Sequence, residues 1–162
     1  MGSNKSILNR RAGFLSLVLA AAGLLTVRGA FSQAPAQSSR RVIRLPEDNP
    51  QAPFSGGILA GNTLYLAGRI GLDKSGKAPA EINDEIKILL DQIKATLEQA
   101  GMTMDDLVYV QIACTDLSLF DKFNAIYRTY FAAKDLPARE FIGAAALLRG
   151  GHFELQAIAV RR

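Results

Sequence analysis

Ile82, Ile86, Leu89, Leu90, Ile93 and Leu97 recur at three- and four-residue spacing in the 162-residue chain. That spacing lines them up on one stripe of a helix of about five turns. Gly101 stands where a C-cap glycine ends such a helix. A stripe this long must be buried against another element, and most of the remaining apolar runs read as strands. Residues 42–45 form a short one. Residues 56–60 and 63–68 flank Gly61-Asn62, a hairpin turn signal. Residues 107–114 are rich in β-branched side chains, and residues 139–146 and 152–160 close the chain. A second amphipathic helix is predicted from Phe120, Phe123, Ile126, Tyr127, Tyr130 and Phe131, with Ser118 as its N-cap and Asp121 three residues on. The order strand, strand, strand, helix, strand, helix, strand, strand gives an α+β domain. Its mixed sheet carries two helices on one face. Nothing in the chain remains to cover the other face, so an apolar second face calls for a partner. A second copy is the simplest one, and clefts between copies are natural binding sites.

The N-terminus reads as a targeting segment. Arg10 and Arg11 precede Phe14–Val27, a run of fourteen residues without charge. A bilayer core needs about 20 apolar residues, so the run suits the apolar region of a secretory signal better than a permanent span. Small-x-small patterns follow at Ser32–Ala34 and Ala34–Ala36. Cleavage after Ala36 avoids placing Pro35 directly after the scissile bond. Residues 1–36 are therefore expected to be a signal peptide that meets the membrane only in transit. The product would be exported, periplasmic or secreted, with residues 37–41 as a flexible start and residues 42–162 as the domain. An uncleaved anchor is the alternative, and Sec and Tat export are not distinguished.

Charge follows the same division. The leader holds Lys5, Arg10, Arg11 and Arg28 and no acid, so residues 37–162 carry fifteen bases against fifteen acids. A neutral body offers no electrostatic reason to expect nucleic acid as a partner. One cysteine and one histidine exclude a disulfide framework within the chain, a cysteine-based zinc site and a histidine cluster. No P-loop, GxGxxG, HExxH or GxSxG motif occurs. Cys114, in an apolar strand without an adjacent base, reads as a core residue. His152, at a strand edge, reads as solvated or structural before it reads as a base. The pairs Gly56-Gly57 and Gly150-Gly151 read as turn glycines.

Arg139 and Glu154 stand out. Arg139 opens an almost wholly apolar strand, where an arginine must pair with an acid, face water or await an anion. Strand alternation puts Phe153, Leu155, Ala157 and Ala159 on one face, with His152, Glu154 and Gln156 on the other. Adjacent final strands would bring Arg139 and Glu154 into one cleft, either as a site or as a salt bridge closing a strand pair.

Leu136-Pro137-Ala138-Arg139 and the run from Glu154 to Val160 (ELQAIAV) resemble the two C-terminal signatures of the RidA (YjgF-like) family, the reactive intermediate deaminases. LYLAGRIGLD and Asn124-Ala125-Ile126-Tyr127 with Tyr130-Phe131 resemble two further segments of that family. The resemblance covers residues 42–162. It implies a chorismate-mutase-like fold, a homotrimer and three sites between subunits. It also implies hydrolysis of 2-enamine or 2-imino acids to 2-oxo acids and ammonia, with no metal and no organic cofactor. On this resemblance Arg139 anchors the substrate carboxylate, Glu154 positions water and moves protons, and Asn124 supports the cleft. Phe54, Ala67, Gly68 and Phe141 line the pocket. Phe54 replaces a usual tyrosine, Ala67 a serine, Phe141 a common cysteine, and Arg69 the glutamine after Gly68. The alternatives are a non-catalytic or chaperone-like trimer that binds small carboxylates and, behind it, the ribonuclease activity attached by name to some relatives.

Overall fold

In the computed structural model, which describes residues 40–132 and 135–162, alternation along the last strand divides the molecule into layers. The expected signal peptide, its cleavage site and residues 37–39 lie outside the described residues. Strand β6 (Phe153–Val160) buries Phe153, Leu155, Ala157 and Ala159 on one face and turns Glu154, Gln156 and Ile158 to the other. The remaining strands are β1 (Arg40–Ile43), β2 (Gly57–Ala60), β3 (Thr63–Ile70), β4 (Leu107–Cys114) and β5 (Ala138–Gly143). They form one sheet in the order β1-β2-β3-β6-β4-β5. Every pairing is antiparallel except β4 with β5. A parallel pair needs a crossover, and the segment between β4 and β5 supplies it with a short helix.

Helix α1 (Ile82–Gln99) buries Ile86, Leu89, Leu90, Ile93 and Leu97 almost completely against the sheet. Truncating any of these leucines to alanine costs about 2–5 kcal/mol through lost transfer energy and the cavity left behind. The helix ends in a Schellman motif: Met102 N–H donates to Leu97 O and Gly101 N–H to Glu98 O, each at 2.9 Å. Gly101 has φ 72°, which glycine adopts without steric penalty. Helix α2 (Phe120–Tyr127) packs Phe123 and Tyr127 into the same core.

Several boundaries differ from expectation. The first strand starts at Arg40, where the sequence suggested a flexible tail, because Arg40 and Arg41 pair with Ala60 and Leu59. Helix α2 stops at Tyr127 and tightens into a 3-10 turn over Arg128–Tyr130. Its entry is organised by Asp116, not Ser118: the Asp116 carboxylate accepts from the Ser118 N–H and hydroxyl. Gly56 and Gly57 are not turn residues; Gly57 begins β2, and Gly56 is buried beside it.

Among the described residues nothing covers the face away from the helices, as the helix count implied. The register sets Val42, Ile58, Tyr65, Ile158 and Tyr109 in one row across five strands on that face. Val42 and Tyr65 are exposed. Beside the row, Gln156 donates to Gln111 at 2.5 Å.

Candidate active site

Glu154 lies on the open face of β6, opposite Ile70 of β3 and Ala113 of β4. Its carboxylate folds over Gly68, where a Cβ would sit 2.2 Å from Oε1. Glycine at 68 therefore gives the carboxylate its resting place. Phe54, Ala67, Gly68 and Glu154 line one cleft of about 1250 Å³, which extends beside α1 to Ile88 and Gln92. Phe54 is 60% exposed. Four of the seven expected site residues are thus brought together.

The other three belong elsewhere. Arg139 pairs with Val110 and Phe141 with Ile112, so both share the helix-side face of the sheet. The guanidinium carbon lies 5.0 Å from the Tyr127 ring centroid, 5.6 Å from Phe120 and 5.7 Å from Phe141. Phe120 and Phe141 meet edge to face at 5.0 Å, which fixes two walls of this cradle. Asn124 stands four residues after Phe120 and three before Tyr127, on the α2 stripe that faces the cradle. Among the described residues no carboxylate lies within salt-bridge distance of Arg139. Burial lowers the Arg139 pKa; Tyr127 opposes that shift and Arg128 adds to it. Arginine nonetheless stays cationic at neutral pH. Burial also raises the Tyr127 hydroxyl to about 12 against the opposing field of Arg139.

The sequence expectation that Arg139 and Glu154 share a cleft within one chain does not hold, and neither does the salt bridge between them. Two facts of topology separate them. Strand β4 lies between β5 and β6, and the two side chains leave opposite faces of the sheet. One chain therefore holds the expected residues in two groups on opposite faces of its sheet. One offers an unpaired cation in an aromatic cradle; the other offers a carboxylate beside an apolar wall.

Two polar groups near these residues were not anticipated. Glu85, on α1, is fully buried. It accepts from the backbone N–H of His152 at 2.6 Å and of Phe153 at 3.1 Å, and its Oε2 lies 2.7 Å from His152 Nδ1. It thereby ties α1 to the start of β6, two residues before Glu154. Its signal was present: Glu85 interrupts the apolar stripe, three residues after Ile82 and four before Leu89. The second is the Asp48–Arg69 ion pair at the cleft edge. Arg69 was noticed as a departure, but nothing in the sequence pairs it with a residue 21 positions earlier. Cys114 is a core thiol, as expected. Burial pushes its pKa up, and the thiol donates to Asp116 O at 3.0 Å.

The Endoribonuclease L-PSP family matches residues 29–161. A RutC family protein of Pyrococcus horikoshii is 36% identical over 114 residues, covering 69% of this chain and 90% of that protein. The 2-iminobutanoate/2-iminopropanoate deaminase of Escherichia coli is 34% identical over 121 residues, covering 72% and 94%. The mouse protein of the same name is 35% identical over 111 residues, covering 67% and 82%. Among solved structures, the YjgF gene product of E. coli superposes with a TM-score of 0.69 at 31% identity, covering 75% of this chain and 99% of that one. A RidA from a Psychrobacter species gives 0.69 at 27% identity, covering 74% and 98%. The expected chorismate-mutase-like architecture is the one these neighbours share.

Proposed function

This chain belongs to the RidA (YjgF-like) family, and from that premise we propose that it hydrolyses reactive 2-enamine and 2-imino acids to 2-oxo acids and ammonia. The observation that carries the reading is Arg139, a half-buried guanidinium walled by three aromatic rings and without an acidic partner. Such a group suits a planar anion that takes two parallel N–H bonds, and the carboxylate of an imino acid is one. Glu154 supplies the second function. Its carboxylate takes a proton from water as the water oxygen adds to the C=N carbon. It returns that proton to nitrogen to give the carbinolamine, then carries the hydroxyl proton to the amine as the C–N bond breaks, so that ammonia leaves and the C=O bond forms. The reaction as written uses no metal or organic cofactor. With Phe54 and Ala67 in the walls, the Glu154 side of the pocket presents no hydroxyl from either position.

The half-sites of one chain cannot meet, so the reading includes a homotrimer. Arg139, Phe141 and Asn124 of one subunit close on Glu154, Gly68, Ala67 and Phe54 of the next. The apolar row from Val42 to Tyr109 would be buried in the same contact.

A coupled assay tests this: an amino-acid oxidase generates imines, and their decay is followed with and without the protein. Arg139→Ala should lose about 30- to several thousand-fold in turnover efficiency, as expected for a charge-assisted pair worth roughly 2–5 kcal/mol. Arg139→Lys should recover little of it, and Glu154→Gln should lower kcat while sparing 2-oxo acid binding. Random mixing of Arg139→Ala with Glu154→Gln subunits in a ring of three restores about one quarter of the wild-type sites. Full activity in folded Arg139→Ala overturns the mechanism, and a monomeric or uncomplemented mixture overturns the shared site.

A further inference from the structure

We propose that Arg69 and Asp48 form a clamp that holds the Phe54-bearing segment against the end of β3 and so positions the apolar wall opposite Glu154. The inference rests on the deaminase reading above and deepens the account of that same site.

The clamp originates in an irregularity of the sheet. Leu66 pairs with Ala157 and Arg69 with Leu155, so three steps along β3 match two along β6. The extra residue is a β-bulge at Ala67-Gly68, and it reverses which face each later residue takes. Without the bulge Arg69 would leave the open face; with it, Arg69 shares the face of buried Leu155. Strand β2 begins at Gly57, opposite Leu66, so the bulged end of β3 has β6 on one side and no strand on the other. The segment from Arg44 to Gly56 covers that gap, and Ala67 N–H donates to Gly56 O at 3.0 Å.

Between buried Leu45 at its start and buried Gly56 at its end, little else fastens this segment. Its own hydrogen bonds are local: Asp48 N–H to Leu45 O, Ala52 N–H to Asn49 O and Gln51 N–H to Asn49 Oδ1. Pro46, Glu47, Asn49, Pro50, Gln51, Pro53 and Phe54 are all exposed. Among the described residues, Arg69 to Asp48 is the one side-chain hydrogen-bonded link from the segment to the sheet. It is two-pronged, with Nη1–Oδ1 at 2.5 Å and Nη2–Oδ2 at 3.1 Å, and the two side chains are only 15% and 10% exposed. Asp48 Oδ2 also accepts from Leu45 N–H at 2.9 Å, which ties the prong to the chain just after β1. Gly56 leaves room for the pair: a Cβ there would lie 2.5 Å from Arg69 Nη2 and 2.6 Å from Asp48 Oδ2. Arg69 Nε is buried without a partner, so the guanidinium depends on Asp48 for its neutralisation. Arg69 precedes Ile70, which faces Glu154, and Asp48 precedes Phe54 in the same covering segment. The clamp thus connects the two walls of the Glu154 half-site.

The experiment compares wild type with Arg69→Gln, Asp48→Asn, Arg69→Lys and the double variant Arg69→Gln/Asp48→Asn. Two quantities are read from each. One is amide hydrogen exchange in residues 46–55, with α1 and β6 as internal controls. The other is KM and kcat for the imine generated from L-alanine by an amino-acid oxidase. The clamp predicts that exchange in residues 46–55 rises at least about tenfold in Arg69→Gln while the controls stay protected. It also predicts a KM about tenfold higher with kcat within about twofold, the signature of lost positioning and not of lost chemistry. Asp48→Asn should be the worse single variant, because it strands a buried cation. Arg69→Lys should recover part of the protection, because one of the two bonds survives. The double variant should fall short of the sum of the singles. Unchanged exchange in Arg69→Gln overturns the clamp. Raised exchange with unchanged KM overturns its bearing on the site. If wild type hydrolyses no imine, the deaminase reading fails, and the exchange arm alone still decides whether the clamp exists.

Discussion

Glu85 is the buried group whose removal should be felt most in stability. Its carboxylate has no exposed surface, and its Oε1 accepts two backbone N–H groups at the mouth of β6. Its Oε2 meets His152 Nδ1, whose ring is 38% exposed. Glu85→Ala strands both amides, each worth about 1–3 kcal/mol when buried and unpaired, and leaves a cavity besides. The total should be about 3–5 kcal/mol, a large share of the 5–15 kcal/mol typical of a domain this size. Glu85→Gln separates geometry from charge. Its amide oxygen can take the place of Oε1 for both N–H groups, and its NH2 can take the place of Oε2 beside His152 Nδ1. It should therefore cost no more than about 2 kcal/mol. The assay is urea unfolding at fixed protein concentration, since an oligomer's midpoint moves with concentration. Equal slopes with midpoints ordered wild type, Gln, then Ala far below support the reasoning. A loss below about 1 kcal/mol in Glu85→Ala would refute it, because two buried amides cannot be orphaned so cheaply.

Gly68→Ala should fold and keep its oligomeric state, because the clash falls on the movable end of Glu154 and not on backbone. Imine turnover should drop at least about tenfold, and wild-type kcat/KM would contradict the placement of Glu154. Asp48 gives a pH dependence with a definite sign. Burial pushes its pKa up, but hydrogen bonds from Arg69 and Leu45 and the charges of Arg69 and Arg44 pull it further down, to a net value below 3.8. Its stabilisation is therefore complete above 3.8 and lost as pH falls through the lowered value. Wild type and Asp48→Asn should differ in unfolding free energy near neutrality and converge in acid; a constant difference down to the lowest pH counts against the pair. Intact-mass analysis of the natural product should find a chain beginning near Gln37, and a full-length, membrane-extractable species would replace export by anchoring.

Much of the fold could be read in the sequence because its signals are periodic and local. The α1 stripe, Gly101 and the alternation of β6 each depend on neighbours within one or two turns, and all three stand in the structure. The deficit of helices over strand surface also gave the uncovered face. The site was legible by residue type but not by arrangement. Arg139 and Glu154 both stood out as charges in apolar strands, yet sequence proximity of the last two strands suggested a contact that strand order forbids. β4 enters between them only because β5 pairs with it in parallel, a non-local choice without a short-range mark. The Ala67-Gly68 bulge has the same character. One inserted residue sends Arg69 to the helix side and lets Glu154 lie over Gly68, and Gly68 was read from the sequence only as pocket lining. If the deaminase reading holds, the separation of Arg139 from Glu154 makes oligomerisation a requirement of the chemistry. On the proposed reading, an isolated chain would hold the carboxylate anchor on one face of its sheet and the proton shuttle on the other, so no single small imino acid could touch both. Any activity retained by a strictly monomeric variant would have to arise without one of them.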